Sequence, residues 1–334
     1  MATQPDTTDQ NAPFVRPDVQ ACLTMMAAME GPAMNEMTPE EARQAYLAIH
    51  MMADAEPIEL AVTRDLSCPG PAGDITLRLY DKRAERNTAG PAIVFVHGGG
   101  FVIGDLATHH SFCTLLADQL DLPLIAVDYR LAPEHPFPAA AEDAIAAARW
   151  IAGSPEALGL NITGLIPVGD SAGGNLAIVI TQALTQAPAE VPVTAQMPIY
   201  PVVTTNSDWP SMRDFADGYV LTQEAMEWFD AAYQADGDSP HYNVLDQDHS
   251  QTPPTVLITT SLDPLRDQGR AYGAALLQAG VTTSFYEAEG NVHDFIALRK
   301  LIPSSVHDCN AMIGRLSGVL KTLEGLPGTG VPAA

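Results

Sequence analysis

The sequence predicts an α/β fold: a mostly parallel central sheet flanked by helices, with a helical cap. Three observations carry this. Short apolar runs recur with helix-like segments between them. The runs are continuous rather than alternating, as in strands covered on both faces. A glycine-rich turn, 169-GDSAGG-174, joins one such run directly to a helix.

Taken in order, the chain opens on the polar stretch MATQPDTTDQNAP, and residues 1–15 are expected to be disordered. Pro17 to Met52 reads as helical, with Met25, Met26 and Met29 apolar at helical spacing. Thr38-Pro39-Glu40-Glu41 opens a second helix with an N-cap, a proline at the first position and a capping-box glutamate. The stretch 74-DITLRLYDK-82 alternates apolar and polar and reads as a half-exposed strand. The apolar runs are 92-AIVFV-96, 124-LIAV-127, 165-LIPV-168, 195-AQMPI-199, 255-TVLIT-259 and 283-TSFYEA-288. Helices between them include 139-AAAEDAIAAARWIAG-153 and 175-NLAIVITQAL-184, and this alternation implies a parallel sheet in a three-layer arrangement.

About fifty residues without a strand signal separate 201-PVV-203 from 255-TVLIT-259, and they contain an amphipathic helix, 219-YVLTQEAMEWFDAAYQ-234. An insertion of that length is natural material for a lid, together with the N-terminal helices. The expected division is an N-terminal segment and cap helices at 1–52, a catalytic domain at 53–203 and 240–334, and a second cap segment at 204–239.

The chain has 334 residues, 46% of them hydrophobic, and a formal charge of −25. Lys82, Lys300 and Lys321 are its only lysines. So acidic a surface argues against nucleic acid or an anionic membrane as a partner. Cys22, Cys68, Cys113 and Cys309 are scattered, with no metal-like spacing, and read as free buried thiols. The polar start carries no signal pattern and no apolar run is long enough to span a bilayer, so a cytoplasmic location is expected. The oligomeric state is open between monomer and homodimer.

Gly169-Asp170-Ser171-Ala172-Gly173 fits Gly-x-Ser-x-Gly in the strand–turn–helix context where that pattern has meaning. Glycines flank the serine because a strained turn leaves no room for side chains there. The strain lifts the hydroxyl toward substrate, and the helix start supplies backbone N–H groups. A serine needs a base held by an acid, and in this arrangement both follow it in the chain, each after a late strand. Asp263 follows 255-TVLIT-259 and His293 follows 283-TSFYEA-288. Asp263 is preferred to Asp267 because it lies nearer its strand end. An oxyanion hole is expected from 97-HGGG-100 after 92-AIVFV-96, with Gly98, Gly99 and Ala172 N–H as donors. His97 is expected to brace that loop, Asp170 to point away from the base, and Glu142 and Asp143 to tie down 128-DYRLAPEHPFP-138. Tyr200, Met25, Tyr219 and Met226 are candidates to line the acyl pocket. The chain has no HExxH, so a zinc site is not expected, and 98-GGGFVIG-104 lacks the spacing of a dinucleotide-binding loop.

The stretches 97-HGGGFVIGD-105, 128-DYRLAPEHPFPAA-140, 169-GDSAGGN-175 and 263-DPLRD-267, with the loop around His293, resemble the hormone-sensitive-lipase-like esterases of the α/β-hydrolase superfamily. The resemblance runs from about Ile93 to Phe295. It implies hydrolysis of short-chain carboxylic esters without a cofactor, a Ser171–His293–Asp263 triad, and the same oxyanion donors. Asp294 departs from the family's usual glycine after the histidine; of two readings, that it crowds the alcohol side or alters the histidine's pKa, or that it stabilises the start of the following helix, the second is preferred. Amidase or lactonase chemistry would use the same triad. A receptor built on this scaffold would lack the histidine that is present here, and a dehalogenase would carry aspartate in place of Ser171.

Overall fold

The computed structural model describes residues 12–29 and 31–324. Two α-helices, α1 (Pro17–Ala27) and α2 (Pro39–Ala53), precede the sheet. The α2 start follows the sequence signal: the Thr38 hydroxyl accepts the Glu41 N–H at 3.3 Å, and the Glu41 carboxylate accepts the Thr38 N–H at 2.9 Å. Of the leading stretch expected to be disordered, residues 1–11 lie outside the described residues. Val15 contradicts that expectation, since it packs against the cluster formed by Val19, Cys22 and Val292.

The remaining elements are β1 (Val62–Gly70), β2 (Gly73–Asp81), β3 (Gly90–Val96), α3 (His110–Leu120), β4 (Leu124–Asp128), α4 (Ala139–Ala152), β5 (Ile162–Asp170), α5 (Ala172–Gln186) and β6 (Met197–Ile199). They continue with α6 (Pro210–Asp214), α7 (Gln223–Tyr233), β7 (Thr255–Leu262), α8 (Arg266–Gln278), β8 (Thr283–Val292) and α9 (Ser305–Glu324). The strands form one sheet in the order β1-β2-β4-β3-β5-β6-β7-β8. β1 and β2 form an antiparallel hairpin, β2 pairs antiparallel with β4, and every later pairing is parallel.

Side chains alternate across a strand, so a continuous apolar run serves two cores at once. In β3, Ala92, Val94 and Val96 join the core beneath α4, α5 and α8, while Ile93 and Phe95 join the core beneath α3 and α9. A third, smaller cluster gathers Val19 and Ala53 of the N-terminal helices with Phe215, Leu262, Val292 and Ile302. It fastens the N-terminal helices to the ends of β7 and β8, where the candidate histidine loop begins. α7 starts at Gln223, capped by Thr222, later than the sequence periodicity suggests. No helix among the described residues is long and apolar enough to cross a membrane. All four cysteines are free and buried.

The end of α2 is tied down by a buried ion pair. Arg299 donates to both carboxylate oxygens of Asp54 at 2.7 Å and to the Ser111 hydroxyl at 2.7 Å. Removing one member of such a pair strands the other charge away from water. Arg299→Ala is expected to destabilise the fold by about 3–5 kcal/mol, measured as a lower midpoint of urea denaturation.

Candidate active site

The turn between β5 and α5 is as sharp as its glycines require. Ser171 sits at φ 55°, ψ −118°, a region that costs a non-glycine residue on the order of 1–3 kcal/mol. A Cβ on Gly169 would collide with the Gly173 carbonyl oxygen, and one on Gly173 would collide with the Val96 carbonyl oxygen. β3, β5 and α5 therefore meet backbone to backbone. The turn is held by the Ser171 N–H donating to Ile199 O at 2.9 Å and by the Asn175 amide donating to Val202 O and Tyr242 O.

His293 Nε2 lies 2.9 Å from Ser171 Oγ, and His293 Nδ1 lies 2.7 Å from Asp263 Oδ2. Asp263 is wholly buried at the end of β7, where it accepts the Leu265 N–H at 2.8 Å and the Thr260 hydroxyl at 3.0 Å. Burial works against the charged form of His293, but the Asp263 carboxylate outweighs it and holds the pKa above the ordinary 6.5, with Asp294 and Asp170 adding to the effect. Such a line can draw the proton from the serine hydroxyl and stabilise the resulting imidazolium. Asp267, the rival acid, is engaged elsewhere: it accepts the Ser211 N–H at 3.0 Å and pairs with Arg266 and Arg270.

The glycine loop corrects one sequence expectation. Gly98 N–H donates to Asp170 Oδ1 at 2.9 Å and is not free for a ligand. Asp170 does turn from the base, but toward this loop, and His109 Nε2 lies 3.3 Å from its carboxylate. The N–H groups of Gly99, Gly100 and Ala172 have no acceptor among the described residues. Gly99 at φ 109° and Gly100 at φ 58° make the loop conformation one that glycine alone adopts readily. The free pair is thus one residue further along than the sequence reading placed it, because the carboxylate beside Ser171 occupies the first donor. His97 braces the loop: its Nδ1 lies 2.7 Å from Gly98 O and its ring stacks on Tyr129 at 4.3 Å. Burial and the neighbouring His109 push its pKa down to about 4, so it stays neutral. Asp143 anchors the following loop through Arg130 at 2.8 Å.

Asp294 also differs from the sequence reading. It makes no helix-capping bond. Its carboxylate instead lies 2.9 Å from His50 Nε2 and 3.5 Å from the Tyr46 hydroxyl, both on α2. Burial opposes charge on both partners, yet each favours the charged form of the other: the Asp294 pKa is lowered and that of His50 raised.

Two small cavities meet at Ser171. The first, of about 90 Å³, includes Phe101, Met226, Asp230, Tyr242 and Leu265 in its lining. The second, of about 80 Å³, includes Met34, Tyr46, Ile103, His293 and Asp294. Of the candidate pocket residues, Met226 lines the first. Tyr200 lies buried behind His293, with ring centroids 4.4 Å apart, and lines neither. Tyr219 packs edge-on against Phe215 in the third cluster, Met25 is 38% exposed on α1, and neither lines either of the two cavities at Ser171. Sequence reasoning missed Tyr46, Leu221 and Phe229, all of which line a cavity. The i, i+4 spacing of Ala225, Phe229 and Tyr233 is the one signal that pointed to an inward face of α7. Among the described residues no group of His, Cys, Asp and Glu is arranged to hold a metal ion.

Residues 93–297 match a family described as having the alpha/beta hydrolase fold. The chain is 34% identical to an ethyl acetate hydrolase of Pseudomonas putida over 86% of its own length and 94% of that protein's. It is 38% identical to the carboxylic ester hydrolase LipN of Mycobacterium tuberculosis over 77% of its own length and 70% of that protein's. Among solved structures, an ester hydrolase from the metagenome of Lake Arreo superposes with a TM-score of 0.85 at 33% identity, covering 91% of this chain and 99% of that one. The chain belongs to the hormone-sensitive-lipase-like esterases of the α/β-hydrolase superfamily.

The packing at the turn has a direct consequence. Gly173→Ala forces α5 off β3, and over-packing of this kind costs about 1–3 kcal/mol or more. A lowered thermal midpoint or loss of soluble protein is the expected reading.

Proposed function

We propose that this chain is a carboxylesterase that hydrolyses short-chain esters through an acyl-enzyme, with Ser171 as nucleophile, His293 as base and Asp263 as its orienting acid. The observation that carries this is the unbroken Asp263–His293–Ser171 line, at 2.7 and 2.9 Å, facing three N–H groups without acceptors. His293 takes the proton as Ser171 Oγ attacks the ester carbonyl. Gly99, Gly100 and Ala172 N–H hold the developing oxyanion. His293 then returns the proton to the departing alcohol, and a water activated by the same imidazole releases the acid. Preference for short chains follows from size: cavities of about 90 and 80 Å³ are well below the ~300–1,000 Å³ of pockets that hold drug-sized molecules. The relatives named for ester hydrolysis support the same chemistry.

The test is a p-nitrophenyl ester series from acetate upward. Rates are expected to peak at short acyl chains, and Ser171→Ala is expected to lower kcat by on the order of 10⁶. A variant that keeps its rate would sink the assignment. The pH profile gives a second check. His293 acts only when neutral, and its pKa is raised, so kcat/KM is expected to fall as pH drops through a value above 6.5. Asp294 contributes to that elevation, so Asp294→Asn is expected to move the acid limb to lower pH.

A further inference from the structure

Helix α7 does more than cover the site. Tyr233, near its C-terminal end, stacks face to face on Phe101 with ring centroids 4.0 Å apart, directly beyond the glycine loop. Its backbone carbonyl accepts the Phe137 N–H at 2.8 Å. These contacts fix the rotation of the helix. At about 100° per residue, Ala225 and Phe229 then lie about 40° apart, while Met226 and Asp230 lie on the opposite flank of Phe229. The cavities follow this division. Met226 and Asp230 line the first, Ala225 lines the second, and Phe229 lines both. Its ring rests on Gly100 so closely that a Cβ there would strike the ring itself. Apart from Gly100 and Phe229 themselves, the two spaces share Ser171 and Leu221.

We propose that Phe229 is the partition that separates an acyl lobe from an alcohol lobe and sets the size limit on both sides of the ester; this rests on the esterase reading above. The assignment of sides comes from His293. It lines the second cavity and not the first. The group that His293 protonates on departure is the alcohol, so the alcohol occupies the second lobe, beside Tyr46 and Asp294. The acyl group remains on Ser171 and extends into the first lobe toward Leu265. A chain too long for its lobe meets the Phe229 ring, which is carried by a helix held in place by the Tyr233–Phe101 stack. Gly100 thus has two uses: its φ suits the loop, and its missing side chain lets the partition reach the serine.

The experiment compares wild type, Phe229→Ala and Phe229→Leu on ethyl esters from acetate to octanoate and on acetates from methyl to octyl. In Phe229→Ala the octanoate-to-acetate ratio of kcat/KM is expected to rise by on the order of tenfold or more, and the octyl-to-methyl ratio likewise. Phe229→Leu, which leaves a thinner wall, is expected to give a smaller rise in the same direction. If Phe229→Ala no longer melts cooperatively, Phe229→Leu decides alone. Ratios unchanged from a wild type that hydrolyses acetate overturn the partition and leave the esterase reading standing. A wild type inactive on every ester in both series overturns the esterase reading, and the partition with it.

Discussion

Everything at this site depends on three backbones being able to touch. β3 and β5 end side by side, and α5 starts on top of both, with Gly169 and Gly173 packed against carbonyl oxygens that admit no side chain. That contact holds Ser171 at an unfavourable φ and leaves its hydroxyl at the crest of the turn. It also brings the β3 end, with its glycine loop, to the foot of α5, where the proposed oxyanion donors Gly99, Gly100 and Ala172 have no acceptor among the described residues. The strain at one residue is carried by a buried sheet with a core on each face.

The parts of the fold legible in the sequence were those decided by short-range physics. The runs 92-AIVFV-96 and 255-TVLIT-259 are strands because continuous apolar residues need cover on both faces, and each serves two cores. Thr38, Pro39 and Glu41 started a helix because capping is local. β1 was not legible. Its sequence, VTRDLSCPG, alternates poorly, and it forms because β2 offers a hairpin partner. At the site, chain order led to Ser171, Asp263 and His293, since each follows a strand. What could not be read was which groups were already engaged. Gly98 looks as available as Gly99 until the Asp170 carboxylate is found on its N–H. Asp294 looks like a helix cap until α2 brings His50 against it, 244 residues away in sequence. Met25 has the right composition for a pocket, and only the placement of α1 shows that it faces outward.

The histidines around the site divide according to which acid each one meets. His293 and His50 each face a carboxylate, and both have raised pKa values. His97 has no such contact; it is buried beside another histidine and held neutral at about 4. The same residue type therefore serves as proposed base, as ion-pair partner and as uncharged brace. The Asp294–His50 pair also links the N-terminal helices to the loop that carries His293, so the cap and the proposed base share one buried electrostatic contact.

The acidity noted at the outset takes on a direction at this site. Ester hydrolysis starts from an uncharged molecule and ends with an anion. The chain carries a formal charge of −25, and at the site Asp294 is offset by its His50 partner. A field of that sign exerts no net force on an incoming neutral ester, yet it repels the carboxylate formed from it. The net charge that argues against nucleic acid as a partner has the same sign as the acid that ester hydrolysis releases, and like charges repel.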